Sequence, residues 1–301
     1  MSTQPLSPCP SPASGRGERS SSLGQESLRR LLARPVPVTA AVLLALLMLM
    51  VLLGPVLSPH AVDAIDFDGP WSTPPSLANS HWFGTDSLGR DVFVRTLAGG
   101  RISLLVGLFA TAVSLLIGVS YGAVAGYFGG RTDAWMMRAV DILYALPFLF
   151  LVILLMVMLG RNVVLIFVAI GAINWLDMAR IVRGQTLSLK QREFVQAAVA
   201  SGESNASIIR THIVPNLLGV VAVYVTLTIP QVILTESFLS FLGLGVQEPN
   251  TSWGALVNEG AREMELCPWS LLFPAGFMAT TLMCFNLLGD GLRDALDLKA
   301  Y

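Results

Sequence analysis

The feature that most constrains this chain is a series of six apolar stretches between residues 36 and 288. About 20 apolar residues span a hydrocarbon core of roughly 30 Å, so five of the stretches are long enough to cross a membrane as helices. In lipid every backbone N–H and C=O group needs an internal partner, which favours helices over loops. The sequence therefore predicts an all-α, polytopic membrane protein with six transmembrane helices. The stretches are Val36–Leu57, Ile102–Gly126, Ala134–Gly160, Val163–Arg180, Leu217–Gly245 and Trp269–Leu288.

Composition excludes several other classes of protein. Hydrophobic residues make up 53% of the chain and charged residues 13%, whereas ordinary globular domains carry about 25% charged residues. The net charge of −1 offers no basic surplus for nucleic acid. The two lysines, Lys190 and Lys299, do not follow a glycine. The chain therefore lacks the Gly-Lys pair of a P-loop, and we expect any ATP to be bound elsewhere.

The distribution of positive charge predicts the orientation of the chain. With the N-terminus inside, 14 of the 19 Lys and Arg residues fall in inner segments, as the positive-inside rule requires. Six spans then place the C-terminus in the cytoplasm too, in a multi-pass membrane protein. The outer loops hold nine acidic residues, which either dock a partner or keep these loops solvated. The outer arginines are Arg90, Arg95, Arg101, Arg161 and Arg262.

These observations predict five regions along the chain. The first stretch starts late and runs longer than the apolar part of a typical signal peptide, so we expect a retained helix. The fourth stretch is marginal because it carries Asn174 and Asp177. The predicted regions are a disordered cytoplasmic tail (1–34), a first transmembrane helix (35–58), a periplasmic loop (59–100), a transmembrane domain (101–290) with a cytoplasmic loop at 180–216, and a cytoplasmic tail (291–301).

The cytoplasmic loop carries the most informative pattern. It reads as two short helices, the first beginning at a capping box formed by Ser188 and Gln191. Gly202 stands where a left-handed helix cap is expected, and Pro215 is predicted to end the second helix. The first helix is apolar on one side, which suits lying in the headgroups, packing under its own bundle or docking into a partner.

A family motif is visible in this loop. Permease subunits of bacterial ABC importers carry the pattern E-A-A-x3-G-x9-I-x-L-P, and residues 196–215 read Q-A-A-x3-G-x9-H-x-V-P. The glycine and proline are in register. The chain departs from the pattern at Gln196, His212 and Val214.

Four longer segments strengthen the resemblance. They are HWFGTDSLGRDVFVRTLAGGRISLLVG (81–107), WLDMARIVRGQTLSLK (175–190), ESFLSFLGLGVQEPNTSWGAL (236–256) and GDGLRDALD (289–297). Together they resemble the second permease subunit of peptide importers, and among these the oligopeptide branch, over about residues 76–299.

The resemblance implies a type I ABC importer permease fold in which helices two to six form the core. It implies a second homologous permease subunit, two cytoplasmic ATPase subunits that bind ATP and Mg, a periplasmic peptide-binding protein and no cofactor on this chain. The implied cargo is oligopeptides, with dipeptides, murein peptides, glutathione or nickel as alternatives in the same family. The implied ATPase-coupling residues are Glu193, Gln196, Ala197, Ala198, Gly202, His212 and Pro215.

Polar residues inside the spans are expensive and therefore candidates for function. Glu236 lies deep in the fifth span after Pro230, and we expect a kinked or interrupted helix that places it at the translocation path or gate. The alternative is a buried hydrogen bond to a neighbouring helix. Further path candidates are Ser237, Ser240, Asn174 and Asn286. Small residues at Gly118, Gly122 and Gly126 predict close helix packing in the second span.

Other chemistry has little support in the sequence. His60, His81 and His212 are too far apart along the chain to suggest a metal site, and the three cysteines form no CxxC pair. Residues 118–122 read G-x-S-x-G, but they lie within a predicted helix, so we expect no catalytic serine and no enzymatic site. An ion-coupled secondary transporter remains an alternative, with a single deep glutamate in its favour.

Overall fold

The computed structural model describes residues 29–66, 71–77, 80–159, 163–248 and 250–296. Within these residues the chain is helical, with two isolated antiparallel bridges, Ile65 with Arg90 and Thr85 with Asp91, and no strand. The labelled helices are α1 (Pro35–Leu57), α2 (Val92–Phe128), α3 (Gly130–Ala145), α4 (Phe148–Leu159), α5 (Val163–Lys190), α6 (Glu193–Ala200), α7 (Asn205–Phe241), α8 (Trp253–Arg262) and α9 (Pro268–Leu296).

Four helices in the described part of the chain, α1, α2, α7 and α9, are long and apolar enough to cross a membrane. The protein is therefore a polytopic, all-α membrane protein. The third apolar stretch is divided between α3 and α4 by an extended residue, Leu146, with ψ of 132°. Pro147 follows it, and a residue before proline avoids the helical region. The number of six spans stays a prediction.

Glycines set the packing of α2 against α5. A Cβ atom added at Gly122 would lie 2.4 Å from the carbonyl oxygen of Ala179, and one added at Gly126 would lie 2.8 Å from that of Arg183. A Cβ atom added at Gly118 would lie 2.6 Å from Cβ of Met178 and 3.0 Å from the carbonyl oxygen of Trp175, one turn before Ala179 in α5. The small residues predicted in the second span therefore bring two helix backbones into close contact.

The ends of the predicted regions need correction. Residues 29–32 are helical, although the predicted disordered tail extended to residue 34, and residues 1–28 lie outside the described part of the chain. Helix α9 continues to Leu296, inside the predicted C-terminal tail at 291–301. Arg34 forms an ion pair with Asp294, so the two predicted tails meet.

The second span also starts earlier than predicted. Helix α2 begins at Val92, inside the predicted periplasmic loop at 59–100, because Asp91 caps it. One carboxylate oxygen of Asp91 accepts a hydrogen bond from the N–H of Val94 at 2.8 Å.

The cytoplasmic loop differs from its prediction at both helix ends. Ser188 lies inside α5, and α6 has no side-chain cap, so the predicted capping box is wrong. Pro215 does not end a second loop helix, because α7 continues through it to Phe241. A π-helical segment, Ile208–Ile213, precedes the proline, which occupies the first turn of the α-helical part, where the fixed φ of proline is compatible with a helix.

The fifth span is not interrupted at Pro230, which lies inside the continuous helix α7, and the alternative of a kink there stays a prediction. Transmembrane helices tolerate proline because neighbouring groups satisfy the freed carbonyl. The break comes later. Helix α7 ends at Phe241, and Gly243 then adopts a left-handed conformation with φ of 76°.

Candidate coupling surface and membrane cavity

Helix α6 has two different sides. Val195 and Ala198 are buried, at 1% and 9% exposure, in an apolar cluster that includes Ile208 and Ile213 of the following segment. The opposite side carries exposed residues, and its large apolar members Phe194 and Val199 are 42% and 54% exposed. One side of α6 is therefore packed against the bundle, and no element in the described part of the chain covers the other side. The exposed residues are Glu193, Phe194, Gln196, Ala197, Val199 and Ala200.

The turn after α6 depends on Gly202. Its φ of 78° lies in the left-handed region, which costs a residue with a Cβ roughly 1–2 kcal/mol. The N–H of Gly202 donates to Val199 at 3.0 Å, and the N–H of Glu203 donates to Ala198 at 3.2 Å. The predicted glycine cap is thus present, and it closes α6 after only two turns.

His212 ties this turn to the beginning of α7. Its Nε2 lies 2.9 Å from a carboxylate oxygen of Glu203, whose other oxygen accepts a hydrogen bond from Ser207. The Ser207 hydroxyl and then His212 lower the pKa of Glu203. His212, one of the three residues that depart from the family pattern, therefore forms a polar contact across the loop.

Further contacts fix this end of the bundle to α2 and α3. The ammonium group of Lys190 donates to the carbonyl oxygen of Tyr127 at 2.5 Å, and the Tyr127 hydroxyl donates to Asn205 at 2.9 Å. Arg183 donates two hydrogen bonds to the two oxygens of Asp133, at 2.5 and 2.6 Å. These charge-assisted and neutral hydrogen bonds connect the end of α5 and the start of α7 to α2 and α3.

A cavity of about 490 Å³ opens where α3, α4, α5 and α7 meet. It is lined mostly by apolar side chains together with a few polar ones. Asn174, one of the predicted path residues, lies on its wall with a buried Nδ2 atom that has no hydrogen-bond partner among the described residues. The Tyr144 hydroxyl donates to Asp177 at 2.5 Å on the same wall. The polar lining residues are Tyr144, Asn174, Asp177, Gln231 and Thr235.

Glu236 lies outside this cavity, although its neighbour Thr235 lines it. Glu236 is fully buried, and one of its oxygens accepts hydrogen bonds from Ser240 and Ser252, both at 2.7 Å. Ser252 is also the N-cap of α8. In this conformation Glu236 makes the buried hydrogen bond that was the alternative to a role at the path or gate. This bond joins α7 to the start of α8.

The remaining predicted path residues are not gathered in one place. The Ser237 hydroxyl donates to the carbonyl oxygen of Ile233 and lies 3.3 Å from the sulfur of Met278 in α9. Asn286 is exposed on α9 and lines none of the cavities described here. Of the five predicted residues, Asn174 alone lines the 490 Å³ cavity.

The opposite end of α2 carries a charged network that the sequence did not predict. Arg90 donates to Asp86 at 2.7 Å and to Glu248 at 2.8 Å, and Arg95 donates to Glu259 of α8 at 2.9 Å. The hydrogen bond and charge of Arg90 lower the pKa of Glu248, whereas burial raises the pKa of Glu259. The only sequence signal was the mixture of arginines and acids in both outer loops.

Comparisons with known proteins agree with the family motif. Residues 114–300 match the family described as binding-protein-dependent transport system inner membrane component. Residues 22–75 match the N-terminal transmembrane domain of oligopeptide transport permease C.

Relatives cover nearly the whole chain. The oligopeptide transport system permease protein OppC of Haemophilus influenzae is 53% identical over 92% of this chain and 89% of that protein. The OppC protein of Escherichia coli is 55% identical over 92% of both chains. The dipeptide transport system permease protein DppC of Bacillus subtilis is 49% identical over 91% of this chain and 85% of that protein. The chain therefore belongs to the inner membrane components of binding-protein-dependent transport systems, the permease subunits of ABC importers.

Proposed function

We propose that this chain carries oligopeptides across the bacterial inner membrane as one of two related permease subunits. Two separate cytoplasmic ATPase subunits bind ATP and Mg and drive the transport, and a periplasmic binding protein delivers the peptide. The chain itself binds no cofactor and hydrolyses no ATP. Both termini and α6 lie on the cytoplasmic side, which agrees with the excess of Lys and Arg in those segments.

The observation that carries the coupling part of the proposal is the two-sided burial of α6. A helix of two turns gains little stability by itself, so its position comes from Val195 and Ala198 inside the bundle. The exposed side then presents Phe194 to whatever docks there. Phe194 is an aromatic side chain on a helix whose other side is packed in the bundle. Aromatic residues of this kind are enriched among those that dominate interface energies. We assign this side to the ATPase subunit.

The cargo assignment rests on the relatives named for oligopeptide transport, at 53–55% identity. The cavity supports a passage for varied peptides, because its polar walls carry one acidic side chain, Asp177, and otherwise neutral groups. Weak, scattered polar contacts let a peptide pass without being trapped. A relative at 49% identity is named for dipeptide transport, so dipeptides are the second cargo to test.

We place half of the translocation path along the cavity at Asn174, with the second permease supplying the other half. Glu236 acts on the gate through α8, because its hydrogen bond to Ser252 holds the start of that helix. Glu236→Gln is expected to lower peptide uptake while the subunits still assemble. Normal uptake by this variant would remove the gate role.

The experiment measures ATP-dependent uptake of radiolabelled tripeptides to pentapeptides in proteoliposomes that contain both permeases, the ATPases and the binding protein. Phe194→Ala removes the exposed anchor without touching the buried side of α6, and Phe194→Leu is the matched control that keeps an apolar group. We expect Phe194→Ala to reduce both uptake and co-purification of the ATPases by about tenfold or more, as for an interface residue worth over 1.4 kcal/mol. Phe194→Leu should keep most of the peptide uptake and most of the ATPase co-purification.

Gly202→Asp is a second variant in the same assay, because it strains the turn and adds charge beside the docking surface. We expect it to stay in the membrane but to lose peptide uptake. Retained uptake in Gly202→Asp, or normal ATPase binding by Phe194→Ala, would count against the coupling assignment. If the wild-type assembly takes up dipeptides but not tripeptides to pentapeptides, the cargo assignment changes. The coupling assignment then stands.

A further inference from the structure

Two histidines that lie 21 positions apart meet at the end of the bundle opposite α6. His60 follows the end of α1, and His81 precedes the start of α2. Their ring centroids are 4.4 Å apart, with the ring planes inclined by only 21°. The sequence predicted no metal site here, because a separation of 21 positions along the chain does not show that the two rings lie close together.

A carboxylate completes the group. Nδ1 of His81 lies 2.8 Å from Oδ2 of Asp91, while the other oxygen of Asp91 caps α2. Nε2 of His81 lies 3.4 Å from a carboxylate oxygen of Asp66. The Nε2 atom of His60 is buried and has no hydrogen-bond partner among the described residues. A buried imidazole nitrogen without a partner loses its hydrogen bonds to water, so this position favours a ligand.

We propose that His60, His81 and Asp91 bind a Zn²⁺ ion. One ligand atom from each residue can be chosen so that all three lie within 4.8 Å of one another. Ligand atoms about 2.0–2.1 Å from a tetrahedral zinc ion lie roughly 3.4 Å apart, so the site closes when side-chain rotations shorten the largest separation by up to about 1.4 Å. Imidazole nitrogens select Zn²⁺ and similar transition metals, whereas Mg²⁺ and Ca²⁺ prefer oxygen ligands alone.

Asp66 supports the same assignment. Its carboxylate lies on the Nε2 side of the His81 ring, where it orients the imidazole whose Nδ1 faces Asp91. The backbone already brings this segment to the site, since the N–H of Asp66 donates to Gly89 at 3.0 Å. The ion would therefore join the segment that follows α1 to the segment that leads into α2.

The binding test uses the assembled transporter with an affinity tag that contains no histidine. The protein is dialysed against micromolar Zn²⁺, its bound metal is measured by mass spectrometry, and a chelating indicator gives the Kd. We expect one zinc ion per chain at this site and no competition from Mg²⁺ or Ca²⁺. His60→Gln is expected to weaken zinc binding at least 10- to 100-fold, the effect known for altering even an outer partner of a ligand.

Two controls keep the result interpretable. Asp63→Asn removes an exposed acid three positions from His60 and is expected to keep the wild-type zinc affinity. Thermal unfolding without metal should be the same for His60→Gln and wild type, while added Zn²⁺ should raise the Tm of wild type and leave that of His60→Gln unchanged. Absence of zinc in the wild-type protein, or equal affinity in His60→Gln, would overturn the proposal. A Co²⁺ derivative whose spectrum shows thiolate ligands would also overturn it, because no cysteine belongs to this site.

Discussion

The close contact of α2 and α5 can be tested by adding one methyl group at Gly122. The new Cβ atom would lie 2.4 Å from the carbonyl oxygen of Ala179, 2.9 Å from Cβ of Val182 and 3.0 Å from the N atom of Arg183. Two of these three neighbours are backbone atoms, which cannot rotate away. The helices must therefore separate, or one of them must bend.

The size of the effect follows from a matched control. Gly184 is also a helical glycine, but a Cβ atom added there meets no atom of the described residues within 4 Å. Replacing glycine by alanine in a helix gains about 0.5–1 kcal/mol at either site. That gain cancels when Gly122→Ala is compared with Gly184→Ala. The remaining difference is the overpacking cost, about 1–3 kcal/mol.

The assay measures the free energy of unfolding of the purified chain in micelles, by denaturant titration followed through tryptophan fluorescence. Gly184→Ala should be as stable as wild type or more stable. Gly122→Ala should be less stable than Gly184→Ala by about 1–3 kcal/mol. Equal stability of the two alanine variants would refute the close packing of α2 against α5.

Three further predictions concern single side chains. Asp133→Asn should lower the free energy of unfolding by about 1.5–3 kcal/mol, since it weakens two hydrogen bonds from Arg183 to a charged group; an unchanged denaturation midpoint would contradict it. The lowered pKa of Glu248 beside Arg90 contributes stability that is present above the unfolded pKa near 4.5 and is lost as pH falls through the folded pKa. Glu248→Gln should therefore flatten the Tm profile on the acid side of pH 4.5, and an unaltered profile would exclude this contribution. Burial raises the pKa of the Cys267 thiol and removes it from solvent, so N-ethylmaleimide should label it slowly in the native protein and fast in SDS; fast native labelling would show that this packing is wrong.

The apolar stretches were a reliable guide to the long helices. The first stretch, Val36–Leu57, corresponds to α1 within one residue, because a span needs only enough apolar length to match the bilayer. The start of α2 was missed by ten residues. Its first turns contain Arg95, which a hydropathy pattern assigns to a loop but which pairs with Glu259 in the structure.

In the coupling loop, one local feature was predictable from the sequence and one helix end was not. The left-handed conformation of Gly202 was predictable, because a helix cap is a local feature and glycine is the residue that adopts it most easily. The predicted cap at Ser188 failed because α5 continues through it to Lys190, whose ammonium group bonds to Tyr127 of α2. A contact 63 residues away in the chain thus accompanies a helix end that the local sequence placed elsewhere.

The sequence by itself determined the membrane class, the long spans and the family of this protein, because apolar length, glycine spacing and the loop motif are read along the chain. Only the tertiary structure decided which polar groups meet. It joined Glu236 to Ser252, Arg95 to Glu259 and His60 to His81. These partners lie 16, 164 and 21 positions apart, and their contact depends on how the helices pack and how the loops return, which no local pattern encodes.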